Sequence, residues 1–525
     1  PDVRVGDLVD TAVSWVETPI IAKSHVAVQA RASWGVPVSL ARLRVIGPPD
    51  REIQIRQTDS IAPPRIERSE EALIHEWRTG NIAPVESERH TPAWHNPNDR
   101  ISISSMRGWE EVVDDILPLY SEIHALPASF AAELNAALEG AQTPLDRMSR
   151  ALHLVQNRIR YVGIELGDGA YHPRPPELTV ARGYGDCKDK SVLLITALRS
   201  LGIEAYPVLA HTSTGHGIDP GLPTPYVFNH ILVAAEIDGK TYWLDPTLDH
   251  QGGAGGHLVR PDYGLVLPLR PGQDRLVKIP EYRTAGPEVD VTETFRFDQS
   301  AGADLEVTSV FSGPAAEWRR RDLAHRSPAE YGRTLTRYYD DHYPGIEALG
   351  LPGIDDNRAL NRLVVTERYR LKPEDLAADG LIEEFPLRAE TVINYLPEPE
   401  TRGRKYPIAL RYPMHRRHKV ILIDAPNQLG AADPYRLQNP WFDFSMHSHA
   451  SGHRLTVSWT LLGLTDQVAA EDAATYLDAV AEVEDLATWW WTVGDLPDTS
   501  PAASEPQTSF LEHMLSIWEA ARPAE

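Results

Sequence analysis

The stretch Gly183-Tyr184-Gly185-Asp186-Cys187-Lys188-Asp189-Lys190 holds the only cysteine of the chain. Downstream lie Asn229-His230 and then Tyr242-Trp243-Leu244-Asp245-Pro246-Thr247. A cysteine, a histidine and a carboxylate in that order are the parts of a thiol nucleophile, its base and the group that orients the base. The glycine-rich run before Cys187 ends a loop, and Leu193, Leu194, Ala197, Leu198 and Leu201 after it mark a buried helix. Cys187 is thereby expected in the first helical turn. Unpaired backbone N–H groups there favour a thiolate. The same amides suit a developing oxyanion. The competing reading, an inert buried cysteine acting as a small hydrophobe, explains neither the motif nor its downstream partners.

The segment from Ile231 to Leu244 reads as a hairpin whose two-residue turn is Asp238-Gly239. That turn sets Ile237 opposite Lys240, and hence Leu232 opposite Asp245. His230 shares the parity of Leu232, so His230 and Asp245 are diagonal neighbours on one face, about 7–8 Å apart at the backbone. A carboxylate to imidazole hydrogen bond spans that gap. A one-residue slip would put the two side chains on opposite faces.

Further out, Val26, Val28 and Ala30, then Ile53 and Ile55, alternate with polar residues between Pro/Gly punctuation, which predicts an N-terminal antiparallel sheet. From Trp109 the period turns helical. Thr143-Pro144-Leu145-Asp146 predicts a capped helix start. Ile203 to His211 reads as a strand. After about Pro280 alternation returns, in Val289 to Phe297 and Leu305 to Phe311, with a helical insert from Ser327 to Tyr343. A last helix is expected from Ala470 to Trp490, and Asp495 to Ser509 reads as a connector.

The length of 525 residues suits about three domains. A net charge of −24 argues against nucleic acid or an anionic membrane as the main partner. One cysteine leaves no internal disulfide and no multi-cysteine zinc site. No spaced acidic loop implies calcium, and no apolar run approaches a membrane span. No metal and no cofactor are therefore expected. The chain begins at Pro1 and reads as a mature or trimmed piece.

The middle segment resembles the bacterial transglutaminase-like proteins of the papain-like cysteine fold. The resemblance rests on Ile159 to Glu165, YGDCKDKSVLL, Gly202 to Leu209, FNHILV and YWLDPT, in order, over residues 110 to 270. The segment upstream, from Pro1-Asp2-Val3-Arg4-Val5-Gly6-Asp7, resembles the tail of the β-rich DUF3857-type domain that precedes such cores. This implies a multidomain α+β chain: a transglutaminase-like core flanked by N-terminal and C-terminal β-rich domains. The expected divisions are 1–108, 109–278, 279–494, and a connector with a terminal helix at 495–525. The resemblance makes Cys187 the nucleophile, His230 the base and Asp245 the orienting acid. It implies cysteine-dependent acyl transfer at a carboxamide or peptide bond through a thioester. A cysteine peptidase or amidase using water, and a non-catalytic peptide-binding scaffold, stay open as alternatives. It also favours the periplasm or cell envelope. An exposed lone thiol agrees with that compartment and with the cytoplasm alike.

No glutamine stands six residues before Cys187, where Ala181 lies. Tyr161 and Tyr184 are candidate oxyanion or substrate contacts, Tyr161 weighed against a place in the core. Lys188, Asp189 and Lys190 read as supporting residues. His447, His449 and His453 read as a polar edge rather than metal ligands. His415-Arg416-Arg417-His418 reads as a surface strand. Trp489-Trp490-Trp491 reads as packing between domains. The expected partner is a protein or peptide substrate, and the oligomeric state is open.

Overall fold

Alternation and turn chemistry produce the N-terminal strands at nearly the predicted places. The computed structural model describes residues 3–16, 19–22, 25–122, 124–163, 167–298, 302–372, 385–425 and 430–491. The connector and terminal helix expected at 495–525 lie outside them. Strands β1 (Ala27–Arg31), β2 (Val38–Gly47), β3 (Gln54–Gln57), β4 (Arg65–Arg68), β5 (Leu73–Ile82) and β6 (Arg100–Ser104) form two sheets. Their orders are β1-β6-β3 and β2-β5-β4. Ile61, Trp77, Ile101 and Ile103 are buried between them.

The central unit is α+β. Helices α1 (Trp109–Ile116), α2 (Ala128–Ala137) and α3 (Pro144–Arg158) precede the short strand β7 (Arg160–Tyr161). Then come α4 (Pro176–Arg182), β8 (Tyr184–Gly185) and α5 (Cys187–Ser200). Thr143 and Asp146 cap α3 reciprocally, as their spacing predicts. A five-stranded antiparallel sheet follows, of β9 (Glu204–Ala210), β10 (His230–Ile237), β11 (Lys240–Leu244), β12 (Leu265–Pro268) and β13 (Val277–Lys278), in the order β11-β10-β9-β12-β13. Helix α5 is buried nearly all round. Its Leu193, Leu194, Ala197 and Leu198 pack on Leu152 and Val155 of α3 and on Val233 and Ala235 of β10. This central position pins Cys187 against the start of β10.

The C-terminal unit is a nine-stranded mixed sheet among the described residues. Its middle pairs Val289–Asp298 in parallel with His415–Ile423. Two helices follow the strand Gly302–Ser312, at Pro314–Ala324 and Pro328–His342, where the sequence suggested one. The first carries three arginines in a row and no apolar stripe, so its period is weak. The last helix ends at Leu486 rather than Trp490, because Thr488–Trp491 turns into a strand against Phe385–Arg388. Trp489 packs in the C-terminal core.

The reading of 415–418 as a surface strand is corrected. His415–Ile423 lies inside the sheet, and Arg416 and His418 are buried. Burial is tolerated because each side chain meets a polar neighbour. Arg416 pairs with Glu288 at 3.2 Å and sits over the Tyr395 ring. His418 contacts Thr391 at 2.9 Å and lies 3.6 Å from Glu293. His447, His449 and His453 are exposed.

Candidate active site

Cys187 is the first residue of α5, and Asp186 is its N-cap. The Asp186 carboxylate accepts from the amides of Lys188 and Asp189 at 2.9 and 3.1 Å. Asp189 returns the bond to the Asp186 amide, completing a capping box. The three residues after Cys187 serve this turn. Lys188 pairs with Asp186 at 2.8 Å. Asp189 accepts from the Arg174 amide at 2.7 Å and from its guanidinium at 2.9 Å. The Lys190 ammonium donates to the carbonyls of Gln156 and Ile159 at the end of α3. Burial pulls Lys190 down to about 8, against the charges of Asp245 and Asp249.

Two amides of the first turn are thus occupied by the cap and not open to an oxyanion. A second correction concerns exposure: the thiol is buried, with Cys187 only 3% exposed. The cause is the cluster of Trp109, Val112, Ile116, Leu209 and Ile231 in which it packs.

His230 opens β10, and Asp245 follows the last residue of β11. The hairpin pairs Ile237 with Lys240 and Val233 with Leu244, the register that Asp238-Gly239 dictates. Both turn residues have positive φ, 52° and 72°, as such a turn requires. His230 Nε2 lies 2.9 Å from Asp245 Oδ2. That leaves Nδ1 for the thiol of Cys187, whose side chain interacts with the ring. His230 is 7% and Asp245 1% exposed. Burial disfavours the charged ring, but Asp245's charge and hydrogen bond, with Cys187's contribution, outweigh it and raise His230 to about 10. Burial likewise works against the Asp245 carboxylate, and His230, Thr247 and Tyr263 overcome it, leaving its pKa lowered.

Residues 132–243 match the transglutaminase-like superfamily, a stretch that contains Cys187 and His230 and stops two residues short of Asp245. Residues 1–86 match a domain of unknown function with a solved structure, DUF3857. The middle of this chain is a transglutaminase-like core. A crystal structure of a candidate protease from Parabacteroides distasonis is 11% identical, with a TM-score of 0.54 over 89% of this chain and 75% of that one. The flanking β-rich regions are therefore shared along with the core. A candidate cysteine protease from Cytophaga hutchinsonii is 14% identical over 42% of this chain and 75% of its own, at TM-score 0.20. The periplasmic domain of TgpA from Pseudomonas aeruginosa is 16% identical over 41% of this chain and 72% of its own, at TM-score 0.17. No curated protein matches the chain.

Tyr161 and Tyr184 stand on β7 and β8, a parallel pair at the entrance to the Cys187 turn of the transglutaminase-like core. They are 45% and 40% exposed, so Tyr161 is not a core aromatic. Tyr161 lies within electrostatic reach of Tyr263, and Tyr184 of Arg174.

Four neighbouring residues escaped the sequence. Tyr263 donates to Asp245 Oδ2 at 2.6 Å and meets the His230 ring edge-on at 5.6 Å. Thr247 gives Asp245 Oδ1 its amide at 2.8 Å and its hydroxyl at 2.6 Å. Gln156 donates to the Asp245 carbonyl at 2.9 Å. Tyr120 packs on the Cys187 cluster, and burial first, then the neighbouring Cys187, Asp186 and Asp189, keep it protonated. Only Thr247 had a signal, the Asp-x-Thr spacing of a local turn.

A separate cleft of 1630 Å³ runs between the N-terminal strands and the loop 211–228. Its walls include Trp94, Arg100, His211 and Tyr226. None of the three site residues lines it; Tyr171 and Val227 connect it to the Cys187 cluster. Among the described residues, no helix is long and apolar enough to cross a membrane.

Proposed function

We propose that this protein is a cysteine-dependent enzyme that opens an amide bond of a protein or peptide and passes the acyl group to an amine. The observation that carries the reading is the sulfur of Cys187 at a helix N-terminus, beside a ring held by a buried carboxylate. Cys187 is the nucleophile, His230 the acid and base, and Asp245 the group that fixes the ring.

Cys187 gives its thiol proton to His230. His230, raised to about 10, carries its proton at neutral pH. The thiolate attacks the carbonyl carbon. Its C–N bond breaks as His230 hands its proton to the departing amine. A thioester remains. An incoming amine then attacks the thioester, returns a proton to His230 and releases the thiolate. With two first-turn amides taken by Asp186, the Cys187 amide itself is the oxyanion donor on this helix. Tyr161 and Tyr184 stand near enough to the turn to contact substrate.

The test is incorporation of a fluorescent primary amine into dimethylcasein, beside release of peptides from casein. Wild type should label the casein, and Cys187→Ala and His230→Ala should lose at least about a hundredfold. Peptide release without labelling would make water the acceptor. Full activity in Cys187→Ala would sink the reading.

A further inference from the structure

The loop that carries Asp245 away from the central sheet does not end in solvent. It crosses to the C-terminal unit and is held there. On the core side, Gln156 donates to the Asp245 carbonyl at 2.9 Å and to Gln251 Oε1 at 2.7 Å. Gln251 donates in turn to the Val259 carbonyl at 3.0 Å. On the other side, the amides of Gly253 and Ala254 donate to the carbonyls of Arg358 and Ala359 at 2.8 and 2.9 Å. Asp249 pairs with Arg321 at 2.7 Å. The Gly252 amide is bonded to Glu317.

Behind this contact lies a buried polar cluster. Asn361 Nδ2 donates to Glu317 Oε1 at 2.7 Å, and Asn361 Oδ1 accepts from Arg320 Nη1 at 2.6 Å. Arg320 also donates to Asp356 at 2.9 Å. Asn361 is 1% and Arg320 4% exposed. The fit is close. A Cβ on Gly252 would stand 2.5 Å from Asn361 Oδ1 and 2.6 Å from Arg320 Nη1. Gly253 has φ +96°, and a Cβ there would meet the His257 carbonyl at 2.2 Å. The Gly-Gly pair thus lets the loop run directly over the arginine and asparagine.

We infer that the C-terminal unit is a clamp on the acid loop, with Arg320 and Asn361 as positioning residues that hold Asp245 in line with His230. This rests on the proposed role of Asp245. A loop of nine residues, 246–254, follows Asp245 directly, and free movement in it would pass straight to the carboxylate. An orienting group must be held within about 0.5 Å to be effective. The central unit holds that loop at Asp245 and at Gln251. Arg320 and Asn361 back the loop at Gly252, toward its far end, and hold Glu317, which takes the Gly252 amide; a planar guanidinium with several directed donors suits that task better than an ammonium.

The test uses the full chain and iodoacetamide, whose target is the single thiol. The alkylation rate of Cys187 is followed against pH for wild type, Asp245→Asn, Asn361→Gly and Arg320→Lys. Glycine accepts the φ of +49° at position 361. Asn361→Gly and Arg320→Lys should remain folded by circular dichroism and lose on the order of tenfold in rate at neutral pH. Their profiles should move toward that of Asp245→Asn. If Asp245→Asn matches wild type, the role given to Asp245 fails, not the clamp. If Asp245→Asn alters the profile while the other two, folded, keep the wild-type one, the clamp is overturned. Should Asn361→Gly not fold, Arg320→Lys, which keeps the charge, decides by the same profile.

Discussion

Asp245 accepts four hydrogen bonds on two oxygens, and their division is informative. Oδ1 is saturated locally by Thr247. Oδ2 is shared by His230 and Tyr263. The tyrosine is pushed up by burial and by the Asp245 charge, so it remains a donor at any working pH. Tyr263→Phe removes one bond to a buried carboxylate and keeps the ring against His230. Hydrogen bonds to charged groups contribute roughly 1.5–3 kcal/mol. On the role proposed for Asp245, the variant should lose about tenfold or more in kcat/KM, mostly in kcat, because the hydroxyl bonds to that carboxylate. Steady-state kinetics on the amine-transfer reaction would check this. A variant that keeps wild-type kcat would show that His230 and Thr247 suffice to hold the carboxylate.

At the scale of the element, the turn before α5 is built around Gly185. A Cβ there would lie 2.7 Å from Asp189 Cβ and 3.2 Å from Thr179 Cγ2. Asp189 cannot give way, because it is buried, caps the helix and pairs with Arg174. Gly185→Ala should cost about 1–3 kcal/mol through overpacking. It should also shift Cys187, so activity should fall by more than the lost stability explains. Thermal melts and kinetics on the same sample separate the two effects, and an unchanged melting temperature would refute the crowding. Much of this element was legible in advance. Cys187 at a helix start, and His230 beside Asp245, followed from a glycine loop and an Asp-Gly turn, both local signals. Tyr263, eighteen residues past Asp245 across irregular chain, has no period to betray it. Arg416 and His418 misled for a related reason. A charged run looks like surface until its partners Glu288 and Glu293, more than a hundred residues earlier, are brought alongside.

At the scale of the whole molecule, opposing titrations set the pH at which the fold is most stable. Glu390 is lowered to about 2, chiefly by His342, so its contribution is complete above 4.5 and is lost as pH falls toward 2. His230 is raised to about 10, so its contribution is complete below 6.5 and lost as pH rises through 10. Glu367 runs the same way at lower pH. Burial, and then the charge of Glu293, raise it from 4.5 to about 7 despite the bond from Tyr369. The two glutamates lie on one row across the C-terminal sheet, each opposite Val307, so their repulsion is built into the register. A raised carboxyl binds its proton more tightly when folded. Stability is therefore fully present below 4.5 and falls as pH rises through 7. A rise from 4.5 to about 7 corresponds to roughly 3 kcal/mol at most. Glu367→Gln keeps an acceptor for Tyr369 and removes the titration. Urea unfolding should find the variant gaining on wild type as pH rises from 4.5 to above 7, by about 1–3 kcal/mol. A constant difference across that range would mean that Glu367 is ionised in the folded protein throughout, with Tyr369 and Arg319 compensating its burial.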